Sequence, residues 1–375
     1  MSDLLRALRD VQGGSVARLL LADILHLAER EGILDRVRRL SPFSDAGLCE
    51  TLQADLGYGL EKGNRRRMIR MLVRLLRECG RVREAQGMWI WRADESATVA
   101  RDTRGTEPAP ERQGAEGQYL FFRHCLESVP AYLRGADPSV VFDETNAAVW
   151  ESFLGCAEFR MCRSLLLELM GIDDHPRFRL LDLCYGPGWG LEAAISQFPT
   201  IRVTALDFTE VFYGRARARV ECAQARHRDA GHPIAPVTWM GPDRWRGFGS
   251  ALPFSDNSFE AVFFTCGDPY IPHDLRGEVY REIRRILTPE GKLGILTRCH
   301  AEADAGHVPS LWLRVSALAH DFAESVCAGW EGFSDVEENM QAFSRAGFRG
   351  GVAGLGTMSA LESSLWVLRK CRGHD

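Results

Sequence analysis

The chain has 375 residues, enough for two domains that each bury a sizeable core. Its formal net charge is −5, so its composition carries no basic signal for nucleic acid or for an anionic membrane. The 11 cysteines show no metal-type spacing, and no uncharged apolar run approaches the length of a membrane span. We therefore expect a cytoplasmic protein with free thiols, whose amphipathic start is unlike a secretory signal.

The first hundred or so residues predict helices followed by a hairpin. Apolar residues recur at helical spacing from Val16 to Leu40, and a second strong helical pattern runs from Asn64 to Gly80. Residues 81–92 alternate around Gln86 and Gly87, which is typical of a β-hairpin. Helices followed by a hairpin are typical of a winged helix, and we assign residues 1–115 to such a domain.

The rest of the chain changes from helices to alternating strands and helices. We assign residues 116–172 to connecting helices that cover a site at the sheet edge, and residues 173–375 to the sheet domain. The predicted strands are 178–184, 201–207, 236–240, 259–265 and 292–298. Strands that alternate with helices predict an α/β fold with a parallel, Rossmann-like sheet.

The first predicted strand of the sheet leads into a glycine-rich loop. Gly186, Gly188 and Gly190 have GxGxG spacing, and Leu191 stands where a dinucleotide site would have its third glycine. Glycines at such a position let the backbone approach a nucleotide-like ligand closely. An ordinary turn is the alternative interpretation of the loop taken alone.

An acidic residue, Asp207, ends the second predicted strand. A carboxylate at this strand end is placed to accept hydrogen bonds from both hydroxyls of a ribose. The alternative is that Asp207 caps a helix that begins near Thr209. The glycine loop and Asp207 together predict a nucleoside site at the carboxyl edge of the sheet.

Two further segments carry a family resemblance. Residues 252–262 read LPFSDNSFEAV, and residues 280–293 read YREIRRILTPEGKL. With the glycine loop and Asp207, in order and spacing, they resemble the motifs of class I S-adenosylmethionine-dependent methyltransferases over about residues 178–298. An AGF sequence that ends at Phe348 resembles the helix before that family's final hairpin. The resemblance implies a seven-stranded methyltransferase sheet, with S-adenosylmethionine as cofactor and S-adenosylhomocysteine as product.

The resemblance also implies which residues hold the cofactor. The glycine loop would face the methionine part, Asp207 would hold the ribose, and Phe208 would lie beside the adenine. The loop departs from the family pattern through the bulk of Tyr185, and Asp243 is the candidate for the acid on the adenine side. The predicted set is Asp182, Tyr185, Gly186, Gly188, Gly190, Asp207, Phe208, Asp243 and Cys266.

Candidate catalytic residues follow the fourth and fifth predicted strands. His273 falls near the position where small-molecule O-methyltransferases carry a general base, and a histidine there can take a phenol or enol proton. Alternatively, His273 only begins the next helix. His300 is the second candidate, and although histidines at one sheet edge can hold a metal, we assign no metal ligand. The predicted acceptor-binding residues are Tyr119, Trp150, Phe153, Asp268, Tyr270 and His307.

The N-terminal pattern resembles the dimerisation domain of small-molecule O-methyltransferases, so we expect a homodimer. DNA binding through arginines between Arg65 and Arg77 is the alternative. The predicted function is methyl transfer to a small molecule in specialised metabolism, with oxygen as the favoured acceptor atom. Carbon or nitrogen transfer, metal assistance, and a peptide or carrier-bound acceptor are alternatives. A winged-helix transcription regulator with a methyltransferase-like sensor domain is the alternative of a different class.

Overall fold

The N-terminal apolar stripes form packed helices. The structure, a computed structural model, describes residues 15–92, 116–300, 311–353 and 362–371. The hairpin turns at Gln86 and Gly87, both at positive φ. In chain order the N-terminal elements are α1 (Ser15–Arg30), α2 (Ile33–Leu40), α3 (Asp45–Leu56), α4 (Arg65–Glu78), β1 (Val82–Ala85) and β2 (Met88–Trp91).

Connecting helices lead into a sheet whose elements alternate as predicted. The connecting helices are α5 (Glu116–Leu133), α6 (Ala147–Leu154) and α7 (Ala157–Met170). The sheet domain contains β3 (Arg179–Leu183), α8 (Trp189–Gln197), β4 (Arg202–Leu206), α9 (Tyr213–Asp229), β5 (Val237–Met240), β6 (Phe259–Thr265), α10 (Arg276–Ile286), β7 (Leu287–Thr297), α11 (Leu311–Glu324), α12 (Val336–Arg345), β8 (Phe348–Ala353) and β9 (Ser364–Lys370). Of the helices in the described ranges, none is both long and apolar enough to cross a membrane.

The sheet has seven strands in the order β5-β4-β3-β6-β7-β9-β8. Strands β3 to β7 pair in parallel, whereas β9 is antiparallel to both β7 and β8. The predicted Rossmann-like, seven-stranded sheet is therefore confirmed. The strand order reverses between β3 and β6, and ligands of open α/β sheets bind in the crevice at such a point.

Helix α11 joins the N-terminal helices to the sheet domain. Residues Val315–Glu324 are all buried, and α11 packs against α1 and α4. Helix α4 supplies polar contacts as well: Arg65 is buried and its Nε donates to the Tyr132 carbonyl at 2.6 Å. Arg67 pairs with Asp321 of α11. Two arginines of the DNA-binding alternative are thus engaged inside the protein.

Candidate active site

The carboxyl ends of β3, β6 and β7 open into a cavity. Gly186 and Asp207 follow β3 and β4 and mark one end of its wall, and Arg298 follows β7 and marks the other end, where its charge acts on Glu324. Ten aromatic residues also line the cavity. They are Phe142, Trp150, Phe153, Phe159, Phe208, Phe212, Phe248, Tyr270, Trp330 and Phe333.

The three glycines of the loop are needed for different structural reasons. Gly186 lies in the cavity wall at φ 50°. At Gly188, with φ 87°, a Cβ would lie 2.7 Å from the Cα of Ala216 in α9. At Gly190 a Cβ would lie 2.7 Å from Oδ2 of Asp182. Gly186 therefore shapes the cavity, whereas Gly188 and Gly190 let the loop pack tightly on its neighbours.

Asp207 presents a buried carboxyl to the cavity. Its Oδ2 accepts from the Gly186 amide at 2.8 Å, and its Oδ1 accepts from the Thr209 amide at 3.1 Å. The next helix begins only at Tyr213, so Asp207 is not that helix's cap. Burial raises the pKa of Asp207 to about 6, although these backbone hydrogen bonds oppose the shift. Above that pH the group is a carboxylate that can accept hydroxyl hydrogen bonds.

Asp182 lies behind the glycine loop. It is 1% exposed and is not part of the cavity wall. Burial raises the pKa of its carboxyl to about 8. The predicted cofactor contact of Asp182 is therefore not seen, because Gly190 packs directly over its carboxyl.

The adenine side also differs from the expectation. Tyr185 and Asp243 line a separate depression, where the Tyr185 ring meets Trp239 edge-on with centroids 5.4 Å apart. Neither residue belongs to the wall of the main cavity. Phe208 and Phe248 line the main cavity instead. Sequence reasoning did not identify Phe248, which follows a positive-φ glycine in an irregular segment.

Two cysteines at the ends of neighbouring strands line the cavity in strained backbone. Cys184 follows β3 with φ 58°, and Cys266 follows β6 with φ 61°. Left-handed backbone at non-glycine residues clusters at functional sites. Cys266 was predicted to line the site, and Cys184 was not. Arg163 lies beside them, with its Nε donating to Thr265 Oγ1 at 3.2 Å.

A buried carboxyl, Glu324, lies at the end of the cavity away from Asp207. It is 4% exposed, and Nδ1 of His320 lies 4.0 Å from its Oε1. Arg298 is already flanked by Glu158 at 3.5 Å and Glu362 at 3.4 Å. Burial raises the pKa of Glu324 well above its usual range, although the Arg298 charge opposes the shift. Such a carboxyl can take up or release a proton inside an apolar wall.

Neither predicted catalytic histidine lines this cavity. His273 is exposed, and its Nε2 lies 3.1 Å from the Glu331 carbonyl. His300 is buried, with Nε2 2.8 Å from Oδ2 of Asp321. A short 3-10 turn at Asp268–Tyr270 brings Tyr270 into the wall and carries the chain away before His273. The geometry therefore gives no support to either histidine as the base.

The predicted acceptor residues divide into two groups. Trp150, Phe153 and Tyr270 line the cavity. Tyr119 instead donates to Asp23 Oδ2 at 3.1 Å, and buried Asp268 accepts from the Tyr280 hydroxyl. His307 lies outside the described residues. In the described part of the chain no three His, Cys, Asp or Glu side chains are grouped to hold a metal ion.

The sequence matches a known domain family and several curated proteins. Residues 180–291 match the family described as "Methyltransferase domain". Demethylmenaquinone methyltransferase of Chlamydia trachomatis serovar D is 30% identical over 131 residues, 35% of this chain and 47% of that protein. The Chlamydia muridarum protein of the same name is 28% identical over 130 residues, with the same shares. The chain thus spans about half the length of the curated relatives it matches.

Solved structures are similar over nearly the whole chain. The CurJ carbon methyltransferase has a TM-score of 0.65 at 13% identity, covering 99% of this chain and 97% of that one. The citrinin polyketide synthase CMeT domain has a TM-score of 0.54 at 13% identity, covering 98% and 94%. An O-methyltransferase family 2 protein from Planctomyces limnophilus, in complex with apigenin, has 0.50 at 15% identity, covering 95% and 92%.

The structural likenesses show the fold, and residues 180–291 are similar to a methyltransferase domain. The matched stretch begins in β3 and ends in β7 of the seven-stranded sheet. The motifs that suggested this family from sequence, the glycine loop and Asp207, meet in one cavity wall.

Proposed function

We propose that the protein transfers a methyl group from S-adenosylmethionine to a small organic acceptor that loses a proton. The observation that carries the proposal is one cavity with Asp207 at one end and the buried carboxyl of Glu324 at the other. The aromatic wall between them suits an apolar acceptor of limited size. An acceptor from specialised metabolism remains our proposal for its biological class.

The residues at the Asp207 end fit the cofactor. Gly186 leaves backbone exposed in the wall without a Cβ, and the Asp207 carboxylate can accept from ribose hydroxyls. Phe208 offers an aromatic face on the same side. When bound, S-adenosylmethionine supplies an electrophilic methyl group on a sulfonium that is a good leaving group.

The residues at the Glu324 end fit an acceptor with an acidic hydrogen. The aromatic wall excludes water and limits the orientations of the acceptor, which lowers the entropic barrier. Glu324 is a stronger base than an exposed carboxylate once it is ionised, because burial destabilises its charge. We assign it the role of accepting the acceptor's proton.

Oxygen is the acceptor atom that the sequence favours, since the chain resembles small-molecule O-methyltransferases in its N-terminal pattern. Carbon is the second candidate. The overall likeness to the CurJ carbon methyltransferase and the citrinin CMeT domain favours it. An enol or phenol can react at either atom after the same proton loss, so Glu324 serves both candidates.

The test uses methyl-labelled S-adenosylmethionine and a fractionated small-molecule extract, with the labelled product identified by NMR. We expect Glu324→Gln to lower kcat by about 10²-fold or more, the usual range for a general base. S-adenosylhomocysteine affinity should stay within about twofold, because Glu324 lies away from the cofactor end.

Glu337→Gln, at an exposed position of α12, is the matched control and should keep normal turnover. Wild-type turnover in Glu324→Gln would remove the proposed base. Label found in a DNA duplex or a protein instead of a small molecule would overturn the proposed acceptor class.

A further inference from the structure

A short segment of the acceptor cavity is held by the N-terminal part of the chain. We call residues 330–334 the wall segment. It contributes Trp330 and Phe333 to the cavity wall, with ring centroids 5.0 Å apart. The Trp330 ring also meets Tyr270 at 5.2 Å. The placement of this backbone therefore decides where several rings of the acceptor site lie.

Helix α4 and the residue before it hold the wall segment from one side. Arg67 donates from Nη2 to the Phe333 carbonyl at 2.7 Å, across 266 positions of sequence. The side chain of Asn64 donates to the Trp330 carbonyl. Gly332, at φ 97°, has no Cβ, and one placed there would collide with the Arg67 guanidinium. The wall segment is therefore fixed by residues that are remote from it along the chain.

Asp321 of α11 connects the same arginine to the indole. Arg67 Nε donates to Asp321 Oδ1 at 3.1 Å, and Trp330 Nε1 donates to the same oxygen at 3.0 Å. Asp321 is fully buried, which opposes ionisation, yet the His300 hydrogen bond and the Arg67 charge hold its pKa well below its usual range. The carboxylate is therefore a fixed acceptor that orients the Trp330 ring.

The loop after β6 holds the wall segment from the other side. The amide of Glu331 donates to the Pro269 carbonyl at 2.9 Å. Arg276 donates from Nη2 to the Gly332 carbonyl at 3.0 Å. This loop carries Pro269 and Tyr270 of the cavity wall. The wall segment therefore connects α4 to the part of the acceptor site that the loop forms.

We propose that Arg67 is a positioning residue of the acceptor site: through Asp321 and the Phe333 carbonyl it sets the positions of Trp330 and Phe333. The inference rests on the proposed function, in which the acceptor occupies this cavity. It explains why Arg67 is drawn inward from an otherwise arginine-rich helix face. The cofactor end, at Gly186 and Asp207, is built on β3 and β4, whereas α4 packs on α11, so the effect should be confined to the acceptor.

The test compares Arg67→Ala, Arg67→Lys and Arg70→Ala in the full chain. Arg70 is exposed on the same helix and is the matched control. Hydrogen exchange followed by mass spectrometry should be faster in the wall segment of Arg67→Ala and unchanged in Arg70→Ala. Arg67→Lys should recover part of the protection, since it keeps a cation beside Asp321 but lacks the forked donors.

Binding assays then separate positioning from general stability. Naphthol, an aromatic ring with an acidic hydroxyl, is the acceptor-side probe, and S-adenosylhomocysteine is the cofactor-side probe. We expect Arg67→Ala to weaken naphthol binding by about tenfold and S-adenosylhomocysteine binding by less than about twofold. Equal weakening of both ligands, or unchanged exchange in the wall segment, would overturn the positioning role.

The proposed function fails in a different way. If wild-type protein binds S-adenosylhomocysteine but not naphthol, the proposed acceptor chemistry is contradicted. The exchange comparison needs no acceptor, so it still decides whether Arg67 fixes the wall segment.

Discussion

Asp207 and Glu324 are two buried carboxyls in one cavity whose pKa values differ because their local contacts differ. Both pKa values are raised by burial. Asp207 receives backbone hydrogen bonds from Gly186 and Thr209, so its pKa rises only to about 6. The described part of the chain gives Glu324 no such backbone donors, and its pKa rises further. Above a pH of about 6 the first is an ionised hydrogen-bond acceptor, whereas the second is more basic than an ordinary carboxyl, and such a division of roles is typical of active sites.

The binding of S-adenosylhomocysteine should depend on the protonation of Asp207. Its pKa is about 6, so the carboxylate that accepts ribose hydroxyls is present above that pH and is lost below it. We expect affinity to fall by roughly tenfold for each pH unit below 6, because only the ionised fraction binds well. Calorimetric titration across pH measures this. Asp207→Asn should bind weakly at every pH, and a variant with the wild-type pH profile would contradict the assignment.

Asp182 should make the protein less stable as the pH rises. Its pKa is raised from 3.8 to about 8, so the folded state holds a proton that the unfolded state releases. The contribution of the Asp182 carboxyl to the free energy of unfolding is fully present below pH 3.8 and is lost as the pH rises through about 8. We expect Asp182→Asn to raise the free energy of unfolding at neutral pH by up to roughly 4 kcal/mol, because the wild-type carboxyl must be protonated about three pH units above its ordinary pKa.

Urea unfolding at several pH values tests the Asp182 prediction. The gain should shrink as the pH is lowered toward the ordinary pKa of an aspartate, because the wild-type carboxyl is then protonated in both states. Asp229→Asn, at an exposed position of α9, is the control and should leave the pH dependence unchanged. A gain that did not vary with pH would assign the effect to packing instead of charge.

At the scale of elements, the turn from β3 into α8 depends on Gly188. Gly188→Ala would place a Cβ 2.7 Å from the Ala216 Cα at a φ of 87°. We expect a loss of at least about 2 kcal/mol of stability and weaker S-adenosylhomocysteine binding, because the loop must move away from α9. Gly214 lies on α9, like Ala216, and a Cβ at this position would have no atom within 4 Å. The control substitution Gly214→Ala should therefore be neutral or stabilising. Equal effects of the two substitutions in urea unfolding would contradict this account.

The elements that sequence predicted well are those with a local signal. Apolar runs and turns predicted strands β3 to β7, and the glycine spacing located the loop that lines the cavity. The acceptor end has no such signal, since Glu324, Trp330 and Phe333 meet the loop after β6 only through tertiary packing. One sequence feature could have indicated it: α11 is apolar around His320, Asp321 and Glu324, and charged groups in such a helix usually have a buried role.

His273 lies outside the cavity wall, and its role as a base stays a prediction. Position along the chain suggested a base before α10, but the 3-10 turn at Asp268–Tyr270 contributes Pro269 and Tyr270 to the cavity wall, and His273 is not part of that wall. Short turns of this kind have weak sequence signals. Position along the chain therefore located the loop beside the cavity but could not show which of its side chains line the wall.

At the scale of the whole molecule, the N-terminal helices and the sheet domain share a core. Helix α11 lies in the catalytic part of the sequence but packs on α1 and α4, and Arg67 joins the two parts through buried Asp321. One hydrophobic cluster contains residues from both sides of the predicted boundaries at 115 and 172, and the domain bounds stay predictions. The expected homodimer is untested by these contacts and stays a prediction, which sedimentation equilibrium can check.

We expect the chain to unfold as one cooperative unit because its acceptor wall, α11 and α4 depend on one another. Calorimetry should give one transition whose calorimetric and van't Hoff enthalpies agree. S-adenosylhomocysteine at about 100 times its Kd should stabilise that whole transition by about 2.7 kcal/mol, and Asp207→Asn should lose the shift at the same concentration. Two transitions, with only one shifted by the ligand, would show that the N-terminal helices fold apart from the cofactor site and would weaken any role of α4 in the acceptor cavity.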